Sequence, residues 1–257
     1  MVESRVFRWA NGSTVEEEWC DPHAGSVRAA DSWLVVEGTA VHVERHLDRF
    51  RGSVATQGLE LDTDAFANDV LGLIPTEGRW FPRVEAIDYG DGAILRFHLR
   101  PAPEPLTEAI VGTATRDPRT LPLVKGPDLA ALGAVRRELD LDEAVILDGE
   151  NLAEGAWSSI VWWANDTLHV VDPAIPRLPS VTEQTLRDHA AFIGAPVIPA
   201  TVRPDELDGA EVWVLSALHG IRVVTEWRNG PTVHVEPGRA EYWRQQYVNQ
   251  RTVISAS

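Results

Sequence analysis

The chain has 257 residues, 44% of them hydrophobic and 24% charged, with a formal net charge of −16. That length suits one large domain or two small ones, and the negative charge argues against nucleic acid and anionic membrane as partners. Cys20 is the only cysteine, which excludes an internal disulfide or a cysteine zinc site; no apolar run reaches the ~18 residues of a membrane span.

In chain order, residues 5–9 and 14–19 read as short strands around Asn11-Gly12. Residues 27–41 read as two strands around Glu37-Gly38. From about Glu44 the pattern turns helical, with His46, Leu47, Phe50 and Val54 on one side and Gly58 closing it. A second helix is predicted from Asp62, as N-cap, to Ile74 before Pro75. Residues 79–89 and 93–100 alternate like a hairpin around Tyr89–Gly92. Arg100-Pro-Ala-Pro-Glu-Pro105 is a stiff connector and sets the expected domain boundary, with a smaller α/β domain over 1–103 and a larger domain over 104–257. Beyond it come a strand at 108–115, a loop at Arg116–Arg119 and a helix from Pro127 to Leu139. Strands at 144–147, 152–163 and 167–171 read as an antiparallel meander. Ser180-Val-Thr-Glu183 reads as a capping box opening a helix to Ile193. Strands at 211–215 and 221–227 and a last helix from Pro237 complete an α+β chain rather than a doubly wound one.

Lys125 is the only lysine; 23 Lys+Arg less this one leaves 22 arginines. An amine can lose its proton and attack a carbonyl, whereas a guanidinium cannot. An imine-forming lysine is therefore the expected role for a position held apart from arginine.

The order of several segments resembles the class IV aminotransferases, the fold-type IV pyridoxal-phosphate enzymes. These are His46-Leu-Asp-Arg49-Phe50, Lys125 before a helix, Asp142 to Gly149, Glu154-Gly-Ala-Trp-Ser-Ser-Ile160, Leu178 to Thr182, and Glu211 to Leu218. The resemblance covers most of residues 27–227. It implies a two-domain architecture with a cofactor cleft between domains, pyridoxal 5'-phosphate held on Lys125 as a Schiff base, and Lys125 as the base that moves the α-proton. It implies that Glu154, 29 residues beyond, faces the pyridine nitrogen and keeps the ring protonated. Arg49 would hold the phosphate, with N–H groups of Val181 and Thr182 at a helix start and a further contact from Ser216 and Ala217. Arg100 lies where relatives place a substrate-carboxylate arginine. His98 and His219 stay outside the catalytic set. The expected reaction is amino transfer between an amino acid and a 2-oxo acid. The alternatives are elimination of pyruvate, as in aminodeoxychorismate lyase, and a non-catalytic member of the family. A cytoplasmic homodimer acting on a small amino-acid or amino-chorismate-like molecule is expected.

The sequence departs from the family at Ser180 and Glu183, in the phosphate turn; at the missing tyrosine near Leu129; and at Ala29-Ala-Asp-Ser32, where relatives are glycine-rich.

Overall fold

The computed structural model describes residues 4–17, 25–90 and 92–254, so Cys20, Asp91 and the end of the strand expected at 14–19 lie outside the described residues. The chain forms two units. The first takes the described residues up to Glu104, with Val124–Pro127 and the segment from Gln250 onward; the second takes Pro105–Leu123 and Asp128–Asn249. Lys125 therefore groups with the first unit and not with the residues that flank it in sequence.

In the first unit, β1 (Arg5–Ala10) and β2 (Ser13–Glu17) pair through Asn11 and Gly12, whose φ values of 52° and 82° match the turn such hairpins require. β3 (Ser26–Ser32) is followed by β4 (Val35–Val36) and β5 (Thr39–Val41), joined by Glu37 and Gly38 at positive φ. The helix read from residue 44 is α1 (Val43–Thr56), with His46, Leu47, Phe50 and Val54 all buried. Asp62 caps α2 (Thr63–Gly72) by accepting from the Ala65 N–H. β6 (Arg79–Trp80), β7 (Arg83–Asp88) and β8 (Ala93–Leu99) complete the unit. The main sheet runs β2-β1-β8-β7-β3, all antiparallel. A smaller sheet joins Arg251–Val253, β5, β4 and β6. The core is Phe7, Trp33, Leu47, Phe50, Phe66, Val70 and Phe97. β3 is an edge strand, and the Lys125 carbonyl accepts from Ala30 N–H at 2.7 Å, covering that edge.

The second unit opens with β9 (Glu108–Thr113) and α3 (Leu129–Leu139). Asp128 stands at the N-cap of α3, but its carboxylate accepts from Thr120 N–H, Thr120 Oγ1 and Leu121 N–H at 2.8, 2.6 and 2.8 Å. Those bonds fold residues 120–123 as turns, so no strand precedes Lys125. β10 (Glu143–Asp148), β11 (Asn151–Gly155), β12 (Ser159–Ala164), β13 (Thr167–Val171), α4 (Val181–Ile193), β14 (Val197–Ala200), β15 (Glu211–Ser216), β16 (Gly220–Arg228) and α5 (Arg239–Val248) follow. They build one mixed sheet, β11-β10-β9-β16-β15-β12-β13-β14, with parallel pairs at β9–β10, β9–β16 and β13–β14.

The expected meander is two separate hairpins. Residues 152–163 break at Ala156–Ser158, so β11 pairs with β10 at one edge while β12 pairs with β13 and β15. Buried Glu143 causes the break, drawing in Ser158 Oγ at 2.8 Å and Trp157 N–H at 3.3 Å. The sheet is buried on both faces. Trp162 and Trp163, successive on β12, enter different cores, the latter with Trp213 and Trp243. Among the described residues no helix is long and apolar enough to cross a membrane.

Candidate active site

Two predicted site residues, Arg49 and Lys125, stand beside an acid that the sequence marked only as a departure. In the first unit, Asp31 on β3 is fully buried. Its carboxylate accepts from Arg49 Nε at 2.7 Å and Nη2 at 2.9 Å, from His46 Nδ1 at 2.9 Å and from Ser32 N–H at 2.7 Å. Lys125 Nζ lies 4.0 Å from Asp31 Oδ1, with 22% of its side chain exposed. His46 and Arg49 are three residues apart on α1, so one helix face aims both at this carboxylate. Burial pushes the Asp31 carboxyl up, yet Arg49, Lys125 and His46 together hold it well below the usual carboxylate range. His46 is pushed down by burial and stays a neutral donor, despite the pull of Asp31.

The same cluster sets the state of Lys125. Burial lowers its pKa, Asp31 opposes, and the charges of Arg49, Arg83 and Arg100 lower it further, to about 8. Arg100 Nη2 reaches Ser32 Oγ at 3.4 Å, its Nε donates to the Phe81 carbonyl at 3.1 Å, and the guanidinium lies over the Phe81 ring. Gly126, next to Lys125, has φ +146°, and a Cβ there would lie 2.8 Å from Ala29 Cα. Gly126→Ala is expected to cost about 1–3 kcal/mol in urea unfolding, because the backbone is strained for an L-residue and the loop carrying Lys125 must lift off β3.

The second unit holds Glu154, on β11. Arg119 Nη1 donates to its Oε1 at 2.8 Å, and Leu178 N–H to Oε2 at 3.2 Å. Arg119 is fixed in turn by Asp117, at 2.9 and 2.8 Å, and by the Pro176 carbonyl at 2.9 Å. Burial raises the Glu154 pKa to about 7, against Arg119 first and then Leu178 N–H and Arg177. Arg119→Met is therefore expected to raise it further. At pH 7 the carboxyl then takes a proton, and the loss is restored as pH is raised above 8. The pH profile of turnover checks this.

Val181 and Thr182 open α4. Ser180 Oγ accepts from Glu183 N–H at 3.2 Å, which is half of the expected capping box. The other half is absent, because the Glu183 carboxylate pairs with Arg177 at 2.8 and 2.9 Å. Glu183 is buried and Arg177 largely covered, so Glu183 carries no free charge into the turn. The N–H groups of Val181 and Thr182 have no partner among the described residues, the state a helix start leaves them in. Ser216 and Ala217 begin the turn between β15 and β16, where Ser216 Oγ accepts from His219 N–H at 3.3 Å. His98 and His219 are both held neutral mainly by burial, with pKa values of about 4.

Sequence reasoning passed over Asp31, Arg119, Arg177 and the Arg83–Glu85 pair. Only Asp31 left a signal: an acid in a strand that becomes apolar and buried, with His46 and Arg49 one helical turn apart on α1.

By type, the donors of each unit suit an anionic aldehyde coenzyme: a depressed amine and an arginine in the first, a buried carboxylate and helix-start N–H groups without a partner among the described residues in the second. The sequence model of one family, amino-transferase class IV, matches residues 29–227. No curated protein matches the chain. Solved structures share the fold at low identity. A fold IV-transaminase from Curtobacterium pusillum has a TM-score of 0.79 at 17% identity, covering 96% of this chain and 97% of that one. A hypothetical aminotransferase from Mycobacterium tuberculosis in its PLP-bound form has 0.79 at 18%, covering 96% and 98%. A branched-chain amino acid aminotransferase from Thermobaculum terrenum in PLP form has 0.80 at 16%, covering 96% and 97%.

Proposed function

The chain belongs to the class IV aminotransferase family, and from that premise we propose that it transfers an amino group between an amino acid and a 2-oxo acid, using pyridoxal phosphate held on Lys125. The observation that carries this reading is the state of the lone lysine, whose pKa is drawn down to about 8 by burial and by three arginines. At pH 7 roughly a tenth of the amine is then neutral, about 200-fold more than for free lysine. Neutral Nζ is what covalent attachment and proton transfer both need.

Pyridoxal phosphate, when bound, supplies an aldehyde for an amine and a ring that withdraws electrons. The remaining work falls to the chain. Lys125 Nζ, when not attached, takes the proton from the α-carbon of the amino acid and gives it back. Asp31 stays ionised beside it, which stabilises the ammonium after the proton is taken. Glu154 holds a proton on the ring nitrogen, a role supported by the carboxylate that Arg119 and Leu178 N–H keep aligned. Arg49 and the N–H groups of Val181 and Thr182 take the phosphate, with Ser216 and Ala217 contributing backbone N–H. Arg100 takes the α-carboxylate; its guanidinium has no carboxylate within ion-pair distance among the described residues. The departure that favoured a non-catalytic relative, Glu183, loses its force because Arg177 neutralises it.

The test is spectral. Protein loaded with pyridoxal phosphate and given an amino acid alone is expected to pass to the pyridoxamine form and release one 2-oxo acid per site. Pyruvate release with the pyridoxal form retained would overturn amino transfer in favour of elimination.

A further inference from the structure

Three residues between β13 and α4, Pro176-Arg177-Leu178, bond toward Glu154 on one side and toward the start of α4 on the other. The segment that carries them has proline at 173, 176 and 179, which stiffens it. Buried Ile175 anchors it in the core that also holds Trp162, Val171 and Trp227. Toward Glu154 the contacts are made by backbone. The Pro176 carbonyl accepts from Arg119 Nη1 at 2.9 Å, and Leu178 N–H donates to Glu154 Oε2 at 3.2 Å. Toward α4 the contact is the Arg177 side chain. Its Nη1 and Nη2 take the two oxygens of Glu183 at 2.8 and 2.9 Å, and Nη2 also reaches the Val171 carbonyl at 3.1 Å.

The Arg177–Glu183 pair is two-pronged and almost dry, with 10% and 5% of the side chains exposed. The other cation near Glu183, Arg187, stands at 3.8 Å and is 36% exposed, so it is the weaker partner. A covered fork of this kind ties its two elements together, and removal of one member strands the other. The stranded member would be a carboxylate in the first turn of α4, the turn that presents the Val181 and Thr182 N–H groups. The same guanidinium is felt at Glu154. Burial raises the Glu154 carboxyl, and Arg177 opposes that rise after Arg119 and the Leu178 N–H.

On the reading given under Proposed function, Val181 and Thr182 take the cofactor phosphate and Glu154 faces the ring nitrogen. We propose that Arg177 is a positioning residue for both ends of the cofactor: it keeps the phosphate turn of α4 clear of negative charge through Glu183, and it supports the segment that holds Glu154 in line. Arg177 itself touches neither the phosphate nor the ring.

Pyridoxal, which lacks the phosphate, separates this role from general support of the fold. Cofactor-free protein is titrated at pH 8 with pyridoxal phosphate and with pyridoxal, followed by absorbance. In Arg177→Met the affinity for pyridoxal phosphate is expected to fall ~10-fold or more, because the Glu183 carboxylate, left with Arg187 alone, then stands in the same helical turn as the phosphate. The affinity for pyridoxal is expected to change by less than ~3-fold. Adding Glu183→Gln to Arg177→Met is expected to recover most of the loss, and Arg177→Lys to avoid part of it. The Glu154 end answers differently. There the charged groups are Arg119, fixed by Asp117, and Arg177. The acid limb of the pH profile of turnover is expected to move to higher pH in Arg177→Met, by less than in Arg119→Met, and to stay moved in the double variant. Equal losses for the two ligands overturn the proposal, as does a loss that Glu183→Gln leaves in place. Should Arg177→Met fail to fold, Glu183→Gln alone decides. With the guanidinium uncovered, the preference for pyridoxal phosphate over pyridoxal is expected to rise ~3-fold or more, and an unchanged preference overturns the proposal. Should the unaltered protein attach neither ligand, the aminotransferase reading fails instead. Inorganic phosphate then tests the turn by itself: it is expected to raise the urea midpoint of the unaltered protein and of the double variant more than that of Arg177→Met, and equal shifts overturn the proposal.

Discussion

Lys125→Ala is expected to abolish amino transfer, by ~10⁴-fold or more, while the fold survives. The rate loss combines two functions of one nitrogen, covalent attachment and movement of the α-proton, the second alone contributing ~10²–10⁴. The other 22 cationic side chains are arginines, so no neighbouring amine can take over. Survival of the fold follows from the geometry. Asp31 keeps its bonds to Arg49, His46 and Ser32 N–H, and Lys125 stands at 4.0 Å, outside hydrogen-bond range. The urea midpoint should therefore hardly move. Two further readouts bracket the claim. Borohydride treatment of the loaded protein should fix the cofactor mass on the peptide containing Lys125, and the variant should show no such increment. In the cofactor-free protein, the rate of attachment should climb about tenfold per pH unit up to about 8 and then level, since the neutral amine is the reactive form and its pKa lies there. Turnover within tenfold of the unaltered protein would remove Lys125 from the mechanism.

The parts of this molecule that were legible in its sequence are those decided by near neighbours. α1 was readable because His46, Leu47, Phe50 and Val54 recur at helical spacing and all four are buried. The Asn11-Gly12 hairpin and the Asp62 cap rest on local backbone rules. What stayed hidden depends on partners far along the chain. The break in residues 152–163 needs Glu143, whose carboxylate reaches Ser158 across 15 residues. β14 is held by a parallel pairing with β13 that has no local pattern, and Arg251–Val253 by β5, more than 200 residues away. The candidate site divides the same way. Lys125 was exposed by its singularity, and Glu154 and Arg49 by resemblance. Glu183 was legible as an anomaly but not as a solved one, because its counter-charge, Arg177, sits in a loop six residues upstream and outside any helical spacing. Asp31 was legible only as a departure from glycine. Its role depends on the pairing of an edge strand with a helix and a distant loop.

Asp31→Asn is expected to be the most damaging conservative change in the first unit, costing about 3–5 kcal/mol in urea unfolding, the typical price of removing one partner from a buried ion pair. The shape is kept, so packing is not the cause. Arg49 stays behind with its Nε and Nη2 donors aimed at a neutral amide, and Lys125 loses the charge that opposes its desolvation. Its pKa should then fall below about 8, making the amine more often neutral while leaving its protonated form unsupported. Attachment of the cofactor is thus expected to shift its pH dependence toward acid even as the unit weakens. The pH dependence of stability has a definite sign. The folded Asp31 carboxyl lies well below its unfolded value, so its contribution is complete above the ordinary aspartate range and is lost as pH falls below it. The gap between unaltered protein and Asp31→Asn should accordingly close in acid below that range. It should also narrow as pH rises from the variant's lowered Lys125 pKa to about 8, because the variant sheds its unsupported lysine proton first. Equal urea midpoints at neutral pH would show that Arg49 and Lys125 do not depend on Asp31 at all. Combining Asp31→Asn with Lys125→Ala separates the two cations: if Arg49 is the main dependant, as its two short bonds indicate, the double variant should be hardly more stable than Asp31→Asn alone.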